Sequence, residues 1–161
     1  MAGSIIVFKV ALKGRKSIWR KIAVKDDHTL DDLHGAIFEA FDRYDEHLYS
    51  FFFPLPGVKN VRRIMQESRE FTHPAACEGG PFGSDAADAT KTILSSLKLK
   101  PKQLFYYLFD FGDEWWHEIT VEATEAAAEK GRKYPCVVDT KGKSPPQYPD
   151  NDDLDDEEDE E

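Results

Sequence analysis

Three histidines and two aspartates are the residues of this chain best suited by type to carry out chemistry. His34 lies on the apolar stripe of a predicted helix, His117 on the apolar face of a predicted strand, and His47 at the start of another strand. Together with Asp110 or Asp113, these imidazoles match the ligands that zinc and ferrous iron accept. None of them has local ligand spacing, and a histidine on an apolar face is commonly a core residue bonded to backbone or carboxylate. The pattern therefore leaves two interpretations, a metal centre of His34, His47, Asp113 and His117 or a set of structural histidines.

A second set of residues has the types that form binding surfaces. Tryptophans beside basic side chains stack on bases over a cationic groove in proteins that bind single-stranded nucleic acid. Lysines and arginines surround Trp19 on the first predicted hairpin, and Trp116 falls on the solvent face of a later one. A basic hairpin is also commonly a solvated edge that discourages strand pairing. The surface expected to contact a protein or nucleic-acid partner consists of Trp19, Arg20, Asp110, Asp113, Trp115 and Trp116.

Hydropathy alternation predicts the strands that must position these side chains. Runs with alternating faces or rich in apolar and aromatic residues are interpreted as strands, and they are residues 4–12, 18–24, 47–53, 103–109, 115–121 and 134–139. The short polar connection between the first two predicts an antiparallel hairpin. A second hairpin forms around the Asp-Phe-Gly-Asp-Glu run at 110–114, where Gly112 is available for a positive φ.

One amphipathic helix is predicted over residues 29–41. Its apolar positions follow the helical period and include Leu30, Leu33, Ile37 and Phe41. Thr29 is a good N-cap, and Asp32 occupies the position of a capping-box acid. Residues 88–97 predict a short second helix, whereas 123–133 predict a helical turn or loop. These elements indicate an α+β fold in which the main helix packs on a mostly antiparallel sheet.

The net charge is concentrated at one end of the chain. The protein has 161 residues and a formal net charge of −10, and ten acidic residues lie in the run 150–161. The first 149 residues are therefore neutral overall, with 21 acidic and 21 basic side chains. A run this acidic buries too little apolar surface to order itself. We expect one domain over 1–149, with an irregular insert at 54–87, and a disordered acidic tail at 150–161 that either keeps the chain soluble or covers a basic patch on its own domain.

Several functional classes are excluded by what the sequence lacks. The Asp-Phe-Gly run at 110–112 has neither a Gly-rich loop nor a catalytic His-Arg-Asp sequence with it, so it does not indicate a kinase. There is no P-loop, nucleophile elbow or dinucleotide fingerprint. No apolar run is long enough to span a bilayer and no signal peptide is recognised, so a cytoplasmic protein without membrane contact is expected. Cys77 and Cys136 are far apart and predict no disulfide framework.

Four further segments of the sequence are distinctive in their order and spacing: 18–20 (Ile-Trp-Arg), 29–34, 47–51 and the long motif 107–117, which reads Tyr-Leu-Phe-Asp-Phe-Gly-Asp-Glu-Trp-Trp-His. Together they resemble the plasmid pRiA4b ORF-3-like family, which also includes passenger proteins of insertion elements. The resemblance covers about 1–149 and implies a small α+β domain of undetermined biochemical function. The residues it implies as shared are Trp19, Arg20, Leu33, His34, His47, Asp110, Gly112, Asp113, Trp115 and His117. The resemblance implies that many relatives continue a Pro-Pro pair into Glu-Asp and a Gly-Gly pair, whereas this chain has Gln147 and Tyr148 after its own Pro-Pro pair.

The function expected from these observations is a non-enzymatic interaction module with no cofactor. It would contact its partner through the first hairpin and the surface of the hairpin around 110–114. Two alternatives remain open at this point. One is a metal-dependent enzyme that uses the His/Asp set with zinc or iron, and the other is a nucleic-acid-associated passenger of a mobile element. The sequence does not indicate an oligomeric state.

Overall fold

Eight strands form one mostly antiparallel sheet in residues 4–77 and 86–147, the part of the chain that this computed structural model describes. The strands are β1 (Ile5–Leu12), β2 (Arg15–Lys25), β3 (Tyr49–Phe53), β4 (Arg69–Thr72), β5 (Ala87–Asp88), β6 (Leu104–Phe109), β7 (Trp115–Ala126) and β8 (Cys136–Lys141). Their order across the sheet is β5-β4-β3-β6-β7-β1-β2-β8. Only the β4–β5 pair is parallel among them. β1 therefore lies between β2, its neighbour in sequence, and β7, which comes from the last third of the chain.

Helix α1 (Leu30–Ala40) packs on one face of this sheet, as the sequence predicts. The Thr29 side chain accepts a hydrogen bond from the Asp32 N–H, and the Asp32 carboxylate accepts one from the Thr29 N–H, which completes the predicted capping box. The apolar stripe of α1 is buried against inward-facing residues of β1, β2, β3, β6 and β7. Large fully buried side chains of this core are Phe8, Phe41, Tyr49, Phe51, Phe105, Tyr107 and Phe109. The α+β class and the packing of the main helix on the sheet are confirmed.

The opposite face of the sheet is covered at its centre by a second helix, α2 (Val61–Glu67), which the sequence analysis did not predict. Asn60 caps this helix by accepting hydrogen bonds from two backbone N–H groups of its first turn. Ile64 is fully buried there and forms a small core with residues including Val58, Phe52 and Trp116. The expectation that Trp116 lies on a solvent face is wrong, because α2 and the segment before it cover that part of the sheet and leave only 9% of Trp116 exposed.

Three further predictions about local structure need correction. Residues 88–97 form no α-helix but two short 3₁₀ turns, at Ala89–Lys91 and Leu94–Leu97. The stretch 54–87, predicted to be irregular, contains α2, β4 and a 3₁₀ turn at Pro74–Ala76 among its described residues. The segment predicted as a helical turn after residue 123 begins as strand, since β7 continues to Ala126 beside β1.

The turn between β6 and β7 is built by Asp110 rather than by glycine. Asp110 has φ +70° and Glu114 has φ +56°, whereas Gly112 is not in the left-handed region. One carboxylate oxygen of Asp110 accepts hydrogen bonds from the N–H groups of Gly112 and Asp113, at 3.1 and 3.2 Å. Asp tolerates left-handed backbone because its short side chain bonds locally in this way. Asp110 therefore has a structural role in the turn.

The last described residues, 144–147, form a C-terminal strap over the loop that follows α1. The Ser144 hydroxyl donates to the Phe41 carbonyl at 2.8 Å. The Gln147 side chain accepts from the Tyr44 N–H at 2.8 Å, accepts from the Asp45 N–H and donates to the Asp45 carbonyl. The predicted acidic tail at 150–161 lies outside the described residues. No helix in the described ranges is long and apolar enough to cross a bilayer.

Candidate functional site

His34 lies between α1 and the sheet, where aromatic residues hold it. The Tyr107 hydroxyl donates a hydrogen bond to His34 Nδ1 at 2.6 Å, and the imidazole stacks on the Tyr49 ring at 3.9 Å between centroids. Burial raises the pKa of Tyr107 well above its ordinary value, so this hydroxyl keeps its proton. Nε2 of His34 faces a carboxylate oxygen of Glu46 at 3.6 Å, which can only accept, so Nε2 carries the proton of the neutral imidazole and Nδ1 is left to accept from Tyr107. Burial lowers the pKa of His34, which favours the neutral imidazole.

His117 is fully buried on the same face of the sheet, and both of its ring nitrogens have partners. Arg43 Nη2 donates to His117 Nε2 at 3.2 Å, while His117 Nδ1 donates to the Tyr107 carbonyl at 3.3 Å. Burial, and then the neighbouring charge of Arg43, lowers the pKa of His117 to about 3. The imidazole is therefore neutral at physiological pH, and neither nitrogen has a lone pair directed at a vacant position.

The predicted ligands are not brought to one centre. His47 lies 3.4 Å from an oxygen of Asp110 and is half-buried, whereas Asp113 is exposed. His34 and His47 both contact the Phe109 ring, and His117 contacts the ring of Tyr107. Within residues 4–77 and 86–147, no group of three or more His, Cys, Asp or Glu side chains is arranged to hold a metal ion. The histidines instead share a layer of aromatic packing.

Arg43 is the residue of this layer that the sequence analysis missed. It is 6% exposed, and its guanidinium carbon lies 4.3 Å from the centre of the Trp115 ring and under 6 Å from the rings of Phe41 and Phe109. Burial lowers the pKa of Arg43 to about 10, which still leaves it charged at neutral pH. Nothing in its sequence context, a polar stretch directly after α1, distinguishes it from a surface arginine.

Arg20 was expected on an exposed binding surface, and this expectation is wrong. Only 7% of the residue is exposed, because its strand position faces α1. Nε donates to the Ala40 carbonyl at 3.0 Å, and Nη1 donates to the carbonyls of Trp19 and Lys141 at 2.9 and 3.0 Å. Arg20 therefore joins the end of α1 to strands β2 and β8, and its Nε and Nη1 groups are already occupied by backbone carbonyls.

The rest of the first hairpin presents a surface of mixed charge. Trp19 is half-buried, and the ammonium groups of Lys9 and Lys21 lie 5.1 and 5.5 Å from its ring centre. Lys21 also pairs with Glu122 at 3.0 Å, and Lys16 pairs with Glu118 at 3.1 Å. Because β7 places carboxylates next to these lysines, the basic residues seen in the hairpin sequence do not form an unopposed cationic face.

A groove lies where β3 ends and β6 begins, at the end of these strands away from the histidines, and its lining combines apolar residues with lysines. It encloses about 440 Å³, and two segments, 54–59 and 100–104, line it together with Tyr106. We call it the lysine groove, after Lys59, Lys100 and Lys102, which lie among its apolar residues. Lys102 has φ +76°, and its N–H donates to the Val121 carbonyl at 2.7 Å, which fixes this segment to β7. The sequence signal was the basic run 98–102, Lys-Leu-Lys-Pro-Lys, next to a predicted strand.

The fold and these sites define a class of small α+β protein, with one mostly antiparallel sheet and its histidines packed among aromatic rings. The chain belongs to the family described as plasmid pRiA4b ORF-3-like protein, which matches residues 4–150 and confirms the resemblance found in the sequence. It is 27% identical over 149 residues to "Uncharacterized protein y4hQ" of Sinorhizobium fredii (strain NBRC 101917 / NGR234), an alignment that covers 91% of this chain and 67% of the relative. The crystal structure of MM3350, a protein of unknown function from Methanosarcina mazei Go1, is similar with a TM-score of 0.68 and 26% identity, over 91% of this chain and 74% of that one.

Proposed function

We propose that this chain is a non-enzymatic binding module and that the lysine groove is its ligand site. The ligand that the groove suits best is an acidic polypeptide segment with apolar side chains. The proposal rests on the lining of the groove, in which three lysines border mainly apolar residues around a volume of about 440 Å³. We prefer this groove to the first hairpin as the binding surface, because Lys16 and Lys21 of the hairpin already pair with carboxylates of β7.

The charge of the groove favours an acidic ligand. Lys59 belongs to one lining segment, and Lys100 and Lys102 belong to the other, so both segments contribute positive charge to the groove. No Asp or Glu is present among the described residues that line it. A concave surface with one sign of charge and apolar walls focuses its potential and raises the rate at which an oppositely charged ligand arrives.

The shape and apolar lining favour a polypeptide over a simple ion. Leu55 is 70% exposed beside Pro54, Pro56 and Pro101, so the groove presents apolar surface that a ligand can cover. The volume is within the range of sites that hold several side chains or a small molecule. A ligand that fills this space needs apolar groups between its negative charges, as a short peptide of Glu, Leu and Phe provides.

The same lining supports binding without catalysis. Apart from the three lysines and Tyr106, its described residues carry no titratable side chain, and no Ser, Thr, Cys or His is among them. Burial, and then the charge of Glu118, raises the pKa of Tyr106 and keeps its hydroxyl protonated. A nucleophile paired with a base is therefore absent from the described part of the groove.

Fluorescence anisotropy with a short labelled peptide of Glu, Leu and Phe tests the proposal at low salt. The groove variant carries Lys59→Glu, Lys100→Glu and Lys102→Glu. A matched control carries Lys25→Glu, Lys130→Glu and Lys143→Glu, which change the net charge by the same amount away from the groove. We expect the groove variant to bind at least about tenfold more weakly, ~1.4 kcal/mol, and the control to bind nearly as tightly as the unaltered chain.

Two results would overturn this function. Equal weakening in both variants would show that net charge alone attracts the peptide. Saturable binding of a single-stranded oligonucleotide, with no binding of the peptide, would instead support the nucleic-acid-associated alternative. A peptide in which Gln replaces every Glu separates the electrostatic contribution from the apolar one, and we expect it to bind more weakly and with less dependence on salt.

A further inference from the structure

We infer that Arg43 and Trp115 form a binding site for a carboxylate group, at the end of the sheet opposite the lysine groove. Two buried donors in this place have no acceptor among the described residues. Arg43 Nη1 and Trp115 Nε1 are each inaccessible to solvent and make no hydrogen bond within residues 4–77 and 86–147. The guanidinium lies over the indole ring, 4.3 Å from its centre, so the two donors belong to side chains in direct contact.

The charge of Arg43 favours an anion as the acceptor. A buried cation is normally paired, because its removal from water is otherwise costly. Its one hydrogen-bonded neighbour, His117, is neutral and accepts through Nε2. The rings of Phe41, Phe109 and Trp115 offset part of the cost through cation–π contact but supply no lone pair. Among the described residues no carboxylate forms an ion pair with Arg43, and the charge of Asp42 acts on it only more weakly than its burial does.

The donor types select a carboxylate in particular. Guanidinium and indole N–H groups donate only, so they cannot hold a metal ion. A carboxylate offers two acceptor oxygens, one for each of the two unpaired donors, and its charge complements the guanidinium, whereas a monatomic anion offers a single acceptor centre. Trp115 is half-buried, so part of its side chain meets solvent although its Nε1 does not.

Two sources can supply this carboxylate. One is a separate ligand, and the other is the acidic run 150–161 of this chain, which carries ten carboxylates. The C-terminal strap ends with Gln147 bonded to Tyr44 and Asp45, so the chain continues from a point next to Arg43 in the fold. The recognition chemistry is the same for both sources, and an experiment can separate them.

The indole N–H signal of Trp115 in a ¹H–¹⁵N NMR spectrum reports directly on the site. We compare the unaltered chain with a neutral-tail variant, in which Asn or Gln replaces all ten acidic residues of 150–161. Each is titrated with sodium acetate, with sodium chloride at equal concentration as the control for ionic strength. Arg43→Gln removes the cation, and the indole signals of Trp19 and Trp116 serve as internal references.

A saturable movement of the Trp115 signal with acetate, absent with chloride and lost in Arg43→Gln, is the result we expect. If the acidic run is the source, neutralising it moves the Trp115 signal and acetate moves it back. If a separate ligand is the source, neutralising the run changes nothing and acetate acts equally on both chains. If neither acetate nor neutralisation of the acidic run moves the Trp115 signal, the proposed carboxylate site is wrong. Should Arg43→Gln fail to fold, the Trp115→Phe chain, followed at the Arg43 Nε–H signal, gives the same decision.

Discussion

Acidification should destabilise this protein through His117, and the size of the effect follows from its surroundings. Burial and Arg43 place the pKa of His117 at about 3 in the folded protein, against an ordinary value of 6.5. Between these two pH values the unfolded chain binds a proton that the folded chain does not. The contribution of His117 to stability is therefore fully present above about pH 6.5 and is lost as the pH falls toward 3.

Each pH unit below 6.5 costs about 1.4 kcal/mol, so acidification from about pH 7 to about pH 4.5 removes about 2.5 kcal/mol. The perturbation that isolates this contribution is His117→Gln. Glutamine does not titrate, and its carbonyl oxygen can still accept from Arg43. Carboxylates and the other histidines titrate in both chains, so their effects cancel when the two proteins are compared.

Urea denaturation of both chains across this pH range is the assay. At neutral pH the variant should be the less stable protein, because glutamine does not fill the space of an imidazole packed against Tyr107. The difference in unfolding free energy should then shrink by about 2.5 kcal/mol at about pH 4.5. A difference that stays constant with pH would refute the assignment of His117 as a buried neutral imidazole. An NMR titration of its ring protons in the folded protein checks the same point directly.

Three other substitutions test separate parts of the fold. Tyr107→Phe removes the hydroxyl that donates to His34 Nδ1 and should lower stability by about 1–3 kcal/mol in urea denaturation, and no loss would mean that His34 does not depend on this donor. Thr29→Ala should lower the free energy of unfolding by about 1 kcal/mol, because it removes the N-cap of α1, whereas Thr29→Ser should retain most of that stability since its hydroxyl can still cap the helix. Ile64→Ala should lower the free energy of unfolding by about 2–5 kcal/mol, because Ile64 packs α2 onto the sheet. In a chain where Phe replaces Trp19 and Trp115, the same substitution should increase acrylamide quenching of Trp116. Unchanged quenching would contradict the packing of α2 on that face.

Elements whose signal is local were predictable from the sequence. The helical period and the Thr29–Asp32 pair predict α1 because both the stripe and the cap are properties of neighbouring residues. The two hairpins follow from alternation around short turns. The class of fold follows from these elements alone, since an amphipathic helix and half-buried strands have few ways to cover one another.

Burial decided by distant segments was not predictable. In the alternation of its strand Trp116 falls on the same face as Glu118, which the pattern marks as polar, and it is buried only because α2, from another part of the chain, packs over it. Arg20 is polar at a core-facing position, and its acceptors, the carbonyls of Ala40 and Lys141, come from two distant elements. Arg43 has no periodic context at all. A pattern within a strand cannot report which residue of another element will lie over it.

The candidate sites show the same limit. The histidines are on apolar faces as the sequence indicated, but whether imidazoles on different elements share one centre depends on distances that spacing does not encode. Asp110 was recognised as a turn residue, although the left-handed conformation falls on Asp110 and not on Gly112. The lysine groove exists only because 54–59 and 100–104 lie side by side.

The position of β1 in the sheet sets the order in which this protein can be completed during synthesis. β1 pairs with β2 as soon as both have been made, but its other partner is β7, where Ile5 faces Ala126 and Leu12 faces His117. A nascent chain that has not yet reached β7 therefore exposes one full edge of an apolar strand, which is a known risk for association between chains. Contacts so distant in sequence slow folding, because a long loop must close before they form. The N-terminal hairpin can start this fold, but only the last third of the chain can finish it.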